Sequence, residues 1–303
     1  MVQRKKITKS SEAPAATGTT EANGSSAKSS QYKERPPQFR YQKVFARAVL
    51  STAVFAIVYF TSAKEKTSTL AGVKEFLSLR EHKVECSPES FETEEEGREL
   101  SSCLPAHCGR FASDNVISEA ELIKLKDMTI NIFEKFFPKD DEASLSFDLL
   151  SEKLSKYDSL SKNVADVLKS LQPKLIDTLS QRFKTSHDLL SITNPSYVTK
   201  VTNLTTEFSE HSHQLHYDKE ANKSIHYTLI IYLTTFKKNF NGGKFIFVDM
   251  ENHKKKNFVV EGKAGRTVGY TAGSENKHFL EKIVNGANYF VTLSFSCNNK
   301  ALN

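Results

Sequence analysis

Tyr227-Thr-Leu-Ile-Ile-Tyr-Leu-Thr234 is a run of β-branched and aromatic residues, and Asn241-Gly-Gly243 supplies a hairpin-type break before Lys244-Phe-Ile-Phe-Val248. Strand-like stretches follow at 257–260, 266–271 and 288–296, each bounded by Gly, Asn or charged residues. Short strands in such a series predict an all-β module of the sandwich or jelly-roll kind. The last stretch is two-sided: Tyr289, Val291, Leu293 and Phe295 share one face, and Asn288, Phe290, Thr292 and Ser294 the other. The first face requires a core, whereas the second suits a wet cleft. The asymmetry is weaker in the earlier run, where Leu229, Ile231 and Leu233 alternate with Thr228, Ile230 and Tyr232. Alternation alone describes a sheet with one solvent face equally well.

Ahead of these strands stands His216-Tyr217-Asp218, and sixty residues past the aspartate comes His278. In a strand, residues i and i+2 point the same way, so His216 and Asp218 reach one cavity while Tyr217 points outward. With His278 they would make the two-histidine, one-carboxylate face that leaves open positions on Fe(II). A His-x-Asp by itself is weak in a chain with nine histidines, where a surface histidine near an aspartate is the plainer explanation. His211 and His213 lie at odd offsets from His216 and would not share its face. His82, His107, His187, His226 and His253 show no partner pattern.

Taken in order, His216-Tyr-Asp218, Tyr227-Thr-Leu-Ile-Ile-Tyr-Leu233, Asn241-Gly-Gly-Lys-Phe-Ile-Phe247, Ala264-Gly-Arg-Thr-Val268 and Gly273-Ser-Glu-Asn-Lys-His278 resemble the catalytic domain of prolyl 4-hydroxylase-type oxygenases. Cys108-Gly-Arg110 and Val116-Ile-Ser-Glu-Ala-Glu121 extend the likeness upstream, so that it covers residues 100–298. The resemblance implies a double-stranded β-helix, with His216, Asp218 and His278 as iron ligands and Tyr232 as a donor to the distal carboxylate of 2-oxoglutarate. It also implies that L-ascorbate keeps the iron reduced. One position departs from the family. Where an Arg or Lys pairs with the distal carboxylate, this chain has Asn288, which brings no charge and no two-pronged contact. Lys282 or Arg266 would substitute, or cosubstrate binding is weak, or catalysis has been lost and a membrane-tethered binding module remains.

Residues 1–43 are rich in Ser, Thr, Ala, Gly and Lys without apolar periodicity, which predicts a disordered tail. They hold nine Lys and Arg against three acidic residues, hence the whole formal charge of +6; the other 260 residues balance at 33 each. A nucleic-acid enzyme carries its basic footprint on the folded domain, so nucleic acid is not expected as a partner. The apolar stretch 44–63 follows, with Arg47 near one end, and reads as an uncleaved transmembrane signal-anchor helix. Lys33, Arg35, Arg40, Lys43 and Arg47 crowd its N-terminal side, predicting a cytosolic tail and a lumenal catalytic part of a type II protein of the endoplasmic reticulum or Golgi.

All four cysteines, Cys86, Cys103, Cys108 and Cys297, lie after that segment, where an oxidising lumen permits disulfides. Three pairings are open, with Cys103 to Cys108 the local one. Asn203-Leu-Thr205 and Asn222-Lys-Ser224 are glycosylation sequons usable on that side. Residues 64–102 read as an acidic stem. From Ser118 the chain turns helical: Ser118 and Glu121 form a capping box, Leu122, Leu125, Ile132, Phe133 and Phe136 an apolar face, and Pro138 a stop. A second helix spans 164–183, with Pro173 expected to kink it. The expected architecture is α+β: a jelly-roll core over 195–298 with packed helices over 118–190, in an oxygenase domain of 103–303. The expected function is hydroxylation of a protein or peptide side chain using Fe(II), 2-oxoglutarate and ascorbate.

Overall fold

The computed structural model describes residues 41–61, 66–88, 94–136, 144–148, 158–204, 214–251 and 254–297. The chain divides into two compact units, one up to Ala63 and one from Lys64. In the first, helix α1 (Gln42–Thr61) leaves Val44, Phe45, Leu50, Phe55 and Ile57 more than half exposed. No helix among the described residues is long and apolar enough to cross a membrane. The tail of 1–40 lies outside the described residues.

In the second unit the elements run β1 (Lys66–Ala71), β2 (Arg80–Val84), α2 (Glu94–Leu100), β3 (Cys108–Ser113), α3 (Glu119–Phe136), β4 (Ser144–Ser146), α4 (Asp158–Phe183) and β5 (Ser191–Thr202). After them come α5 (Asp218–Ala221), β6 (Tyr227–Tyr232), β7 (Phe240–Gly242), β8 (Phe245–Glu251), β9 (Lys254–Val260), β10 (Thr267–Thr271), β11 (His278–Leu280) and β12 (Ile283–Ser296). They form a four-stranded sheet, β1-β9-β8-β11, and an eight-stranded one, β2-β3-β10-β6-β12-β5-β4 with β7 beside β12. The stem expected over 64–102 is thus corrected. β1 pairs in parallel with β9 and β2 pairs with β3, because backbone partners far along the chain, not local apolar content, make these polar segments strands.

The alternation in β6 and β12 sorts two cores. Leu229, Ile231 and Leu233 with Val291, Leu293 and Phe295 join Leu125, Ile132 and Phe133 of α3 and Leu171, Leu175 and Leu179 of α4 on the outside of the large sheet. Ile230, Tyr232 and Phe290 face the other way and meet Phe245, Phe247, Phe258 and Leu280 of the small sheet. The helices thereby cover one face and leave the inter-sheet space for a site. The capping box forms as expected: Ser118 N–H donates to Glu121 Oε2 at 2.7 Å, and Glu121 N–H to Ser118 Oγ at 3.3 Å. Pro173 sits inside a continuous α4.

Asn241-Gly-Gly243 is not a tight hairpin. β6 belongs to the large sheet and β8 to the small one, so this segment carries the chain across, with β7 pairing to β12. Gly242 has φ +74°, and a Cβ there would lie 2.2 Å from the Lys282 carbonyl oxygen, so the crossing requires glycine.

The disulfides are Cys86–Cys108 and Cys103–Cys297, which corrects the local Cys103–Cys108 expectation. Cys108 lies in β3, whose register beside β2 brings Cys86 within reach, while Cys103 sits under the C-terminal end of β12. Closing 194 residues removes more unfolded-chain entropy than closing 22, about 5 against about 3 kcal/mol on the loop-closure scale. Replacing Cys103 and Cys297 together by Ala should therefore lower the stability of the oxidised protein more than replacing Cys86 and Cys108, by about 2 kcal/mol in urea unfolding. An equal or reversed order would show that local contacts outweigh loop length here.

Candidate metal centre

His216 and His278 form an isolated antiparallel bridge in which each main-chain N–H donates to the other's carbonyl, at 3.1 and 2.8 Å. Residues opposed in this way project to the same side, and the two rings lie 4.5 Å apart. Asp218 arrives by a route other than the expected regular strand. Tyr217 is extended, with φ −139° and ψ 150°, and Asp218 then opens the single turn α5. Its Oδ1 nevertheless stands 3.7 Å from His278 Nε2, and one ligand atom from each of the three residues lies within 4.8 Å of the others. Adjacent ligands on an octahedral ion with bonds of about 2.1 Å are about 3 Å apart, so small side-chain rotations complete the set. Two imidazoles and one carboxylate suit Fe(II).

Each histidine bonds through Nδ1 to the main-chain carbonyl two residues before it, His216 to Gln214 and His278 to Asn276, both at 2.8 Å. A carbonyl only accepts, so Nδ1 carries the proton and Nε2 keeps its lone pair for a metal. Thr228 Oγ1 donates to Asp218 Oδ2 at 2.6 Å, and Tyr270 is hydrogen-bonded to the same carboxylate. Burial, and next the Asp218 charge, hold the Tyr270 phenol far above its usual range, so it stays protonated. Sequence reasoning missed both supports. Thr228 was legible as a cavity-face residue of β6, but nothing in the spacing singled out Tyr270.

His278 is enclosed by Phe245, stacked at 4.8 Å, by Tyr270 at 5.1 Å and by Phe247 at 5.9 Å. Burial above all pushes its pKa down to about 4; His216 and Arg110 push the same way, and Asp218 opposes them. The ring is therefore neutral near pH 7, as a ligand must be. Behind it, the buried Arg110 guanidinium lies between the Phe247 and Phe258 rings at 4.7 Å from each, and Nη1 donates to Asn276 Oδ1 at 3.3 Å. Asn276 Nδ2 donates to the Gly109 and Thr271 carbonyls at 3.1 and 2.9 Å, which fixes the turn that holds His278.

The three residues open onto a cavity of about 210 Å³ with Tyr197 and Thr199 on one side and Ile230, Phe245, Leu280 and Phe290 on another. Tyr232 and Asn288 do not line it. Tyr232 pairs with Phe290 across the β6–β12 ladder, with ring centroids 6.1 Å apart, and burial pushes its phenol well above the usual range. Asn288, fully buried and one step beyond Phe290 on the same face, accepts from Thr234 Oγ1 at 3.0 Å, and its Nδ2 has no partner. Neither proposed replacement cation reaches the cavity. Lys282 is exposed, and all five Arg266 N–H donors are taken, by both Asp114 oxygens and the Gly72, Glu261 and Glu75 carbonyls. The donor set fits iron, whereas the far end of the cavity offers a second carboxylate no cation among the described residues. His211, His213 and His253 lie outside the described residues.

Because the folded pKa of His278 lies below its unfolded value, the unfolded chain takes up the proton first as pH falls. Metal-free protein should hold its full stability above about pH 6.5 and lose on the order of 3 kcal/mol by about pH 4 from this residue. Urea midpoints across that range, compared with a His278→Gln variant, measure it; parallel profiles for the two proteins would refute the assignment.

No protein-family model matches the chain. Among curated proteins it is 30% identical over 317 residues to the human "2-oxoglutarate and iron-dependent oxygenase domain-containing protein 3", covering 94% of this chain and 95% of the relative. It is 31% identical over 221 residues to the protein of that name from Mus musculus, covering 66% and 67%. Among solved structures, a prolyl 4-hydroxylase from Phytophthora capsici matches at 13% identity and TM-score 0.44, over 69% of this chain and 67% of that one. A prolyl hydroxylase from Trichoplax adhaerens, in complex with a hypoxia inducible factor peptide fragment, matches at 13% and 0.41, over 66% and 86%. By its full-length likeness to the human relative, the chain belongs to the family of 2-oxoglutarate and iron-dependent oxygenase domain-containing protein 3.

Proposed function

We propose that this protein is an Fe(II)-dependent oxygenase that couples decarboxylation of a 2-oxo acid to hydroxylation of a protein or peptide side chain. The observation that carries this reading is the convergence of His216, Asp218 and His278 on one cavity, with Nδ1 of each histidine bonded to a main-chain carbonyl. Iron held there would supply oxidation of an unactivated C–H bond at the expense of dioxygen and the 2-oxo acid. The protein's own part is orientation and exclusion of water. Thr228 and Tyr270 aim the Asp218 carboxylate, Asn276 aims His278, and Phe245 and Phe247 shield the rear of that ring. The family's cosubstrate is 2-oxoglutarate by the names of its members, and L-ascorbate is the reductant this chemistry commonly uses.

We also read the protein as a type II membrane protein with a lumenal catalytic unit. The exposed apolar side chains of α1, the basic residues before it and two disulfides in the second unit support that reading. The exposed Asn203 is the better placed sequon, because Asn222 is half-buried with Nδ2 donating to the Asn194 carbonyl at 3.1 Å.

Two measurements test these readings. Purified full-length protein should bind one Fe(II) and release succinate from 2-oxoglutarate, and His216→Ala and His278→Ala should each abolish iron uptake while the fold survives. Unchanged iron content in both variants would remove the metal site; iron uptake without turnover of any 2-oxo acid would favour a binding module. In sealed microsomes, protease should trim only the tail, and glycosidase should shift the mass chiefly through Asn203. Digestion of residues 64–303 in intact vesicles would reverse the topology.

A further inference from the structure

We infer that the Cys86–Cys108 disulfide is a site of thiol–disulfide exchange with a dithiol partner, and that opening it weakens metal binding at His216, Asp218 and His278. The second half of the inference rests on the reading of those three residues as a metal site. Of the two disulfides, this is the one that reaches the surface. Cys86 is exposed, whereas Cys108, Cys103 and Cys297 are 4%, 0% and 1% exposed. Exchange begins when a thiolate reaches one sulfur of the bridge, so access decides which disulfide reacts first. The incoming thiolate attacks Cys86 Sγ, and Cys108 leaves with the bonding electron pair and takes up a proton. The partner's second thiol then attacks the partner's own sulfur in the mixed disulfide and releases Cys86. Two electrons and two protons pass to the cysteines, and the dithiol ends as a disulfide.

The metal site feels this bridge because each of its ends lies one residue from a hydrogen bond to the turn Ser274–Asn276, just ahead of His278. On one side, Ser87 donates through its N–H and its Oγ to Glu275 Oε2. On the other, the Gly109 carbonyl accepts from Asn276 Nδ2 at 3.1 Å. Thr271 joins the two, since its Oγ1 donates to Glu275 Oε1 and accepts from Asn276 Nδ2. The Asn276 carbonyl is in turn the acceptor for His278 Nδ1. The two sides depend on the disulfide unequally. Cys108 and Gly109 stand inside β3, opposite Val84 and Lys83 of β2. Strand β2 ends at Val84, so Cys86 and Ser87 lie past the last ladder pair and the disulfide fastens them back onto β3. Once it opens, the hold of Ser87 on Glu275 has to offset by itself the entropy of ordering residues 85–87, and that segment frays. The turn then loses one of its two grips, and His278 is aimed less well at the metal.

The test uses oxidised full-length protein, whose Mn(II) uptake is measured by equilibrium dialysis before any cysteine is touched. Absent uptake at this stage overturns the metal reading and the coupling with it, and so is told apart from failure of the exchange site. In graded dithiothreitol, with thiols trapped by alkylation in denaturant and located by peptide mass spectrometry, Cys86 and Cys108 should appear at least about tenfold faster than Cys103 and Cys297. Equal or reversed rates overturn the exchange site. Replacing Cys86→Ser and Cys108→Ser together should raise the Mn(II) dissociation constant on the order of tenfold, and Ser87→Ala, which keeps the bridge, should raise it in the same direction. Cys103→Ser with Cys297→Ser should leave it within about twofold. Unchanged affinity in a folded Cys86→Ser, Cys108→Ser protein overturns the coupling, as does equal weakening by the two cysteine pairs. Should that variant fail to fold, unchanged affinity in Ser87→Ala overturns the coupling instead.

Discussion

The reciprocal pair of main-chain hydrogen bonds between His216 and His278 is the constraint on which the site depends. Two ligands sixty-two residues apart are placed side by side by backbone geometry, before any side chain chooses a rotamer. The small sheet holds one partner through β11 against β8, and α5 anchors the other, with Lys219 N–H donating to the Ala272 carbonyl. The inter-sheet core then closes round His278 with aromatic rings, so the same burial that stabilises the sandwich keeps that imidazole neutral.

Much of this was legible wherever sequence period matched structure. The two-residue alternation in β6 and β12 predicted which side chains meet helices and which face the cavity, because a strand has only two faces. Ser118 and Glu121 announced α3 through local hydrogen bonding. The ligands were legible as an ordered series of motifs, although Asp218 lies on a helical turn where a strand was expected. What could not be read depends on contacts between distant segments. β1 and β2 are polar, short and defined by partners at 256–260 and 108–112. The disulfide pairing follows from the register of β3 and the end of β12, neither of which is written in cysteine spacing.

The support given to the ligands is uneven. His278 has a buried frame of Arg110, Asn276, Gly109 and Thr271 behind it, reaching into β3 and β10. His216 is only half-buried, and its Nδ1 donates to the Gln214 carbonyl. Around Arg266 a comparable frame has formed for another purpose. Burial works against the Asp114 carboxylate, but Arg266, the Leu77 N–H and Lys263 outweigh it and hold its pKa low. Those bonds fasten the 72–77 segment to the sheets, so a cation that looked available from sequence is a structural bolt.

The place of β12 has a consequence for how the protein is made. This strand is the last among the described residues, yet it lies between β6 and β5 in the middle of the large sheet, and Cys297 at its end joins Cys103. During synthesis β5 and β6 must therefore wait, each with an open edge, until residues 283–296 have emerged. A stop codon shortly before residue 283 would remove the sheet's centre and one disulfide partner together. Such a product would retain His216, Asp218 and His278 in its sequence and have no sheet to hold them.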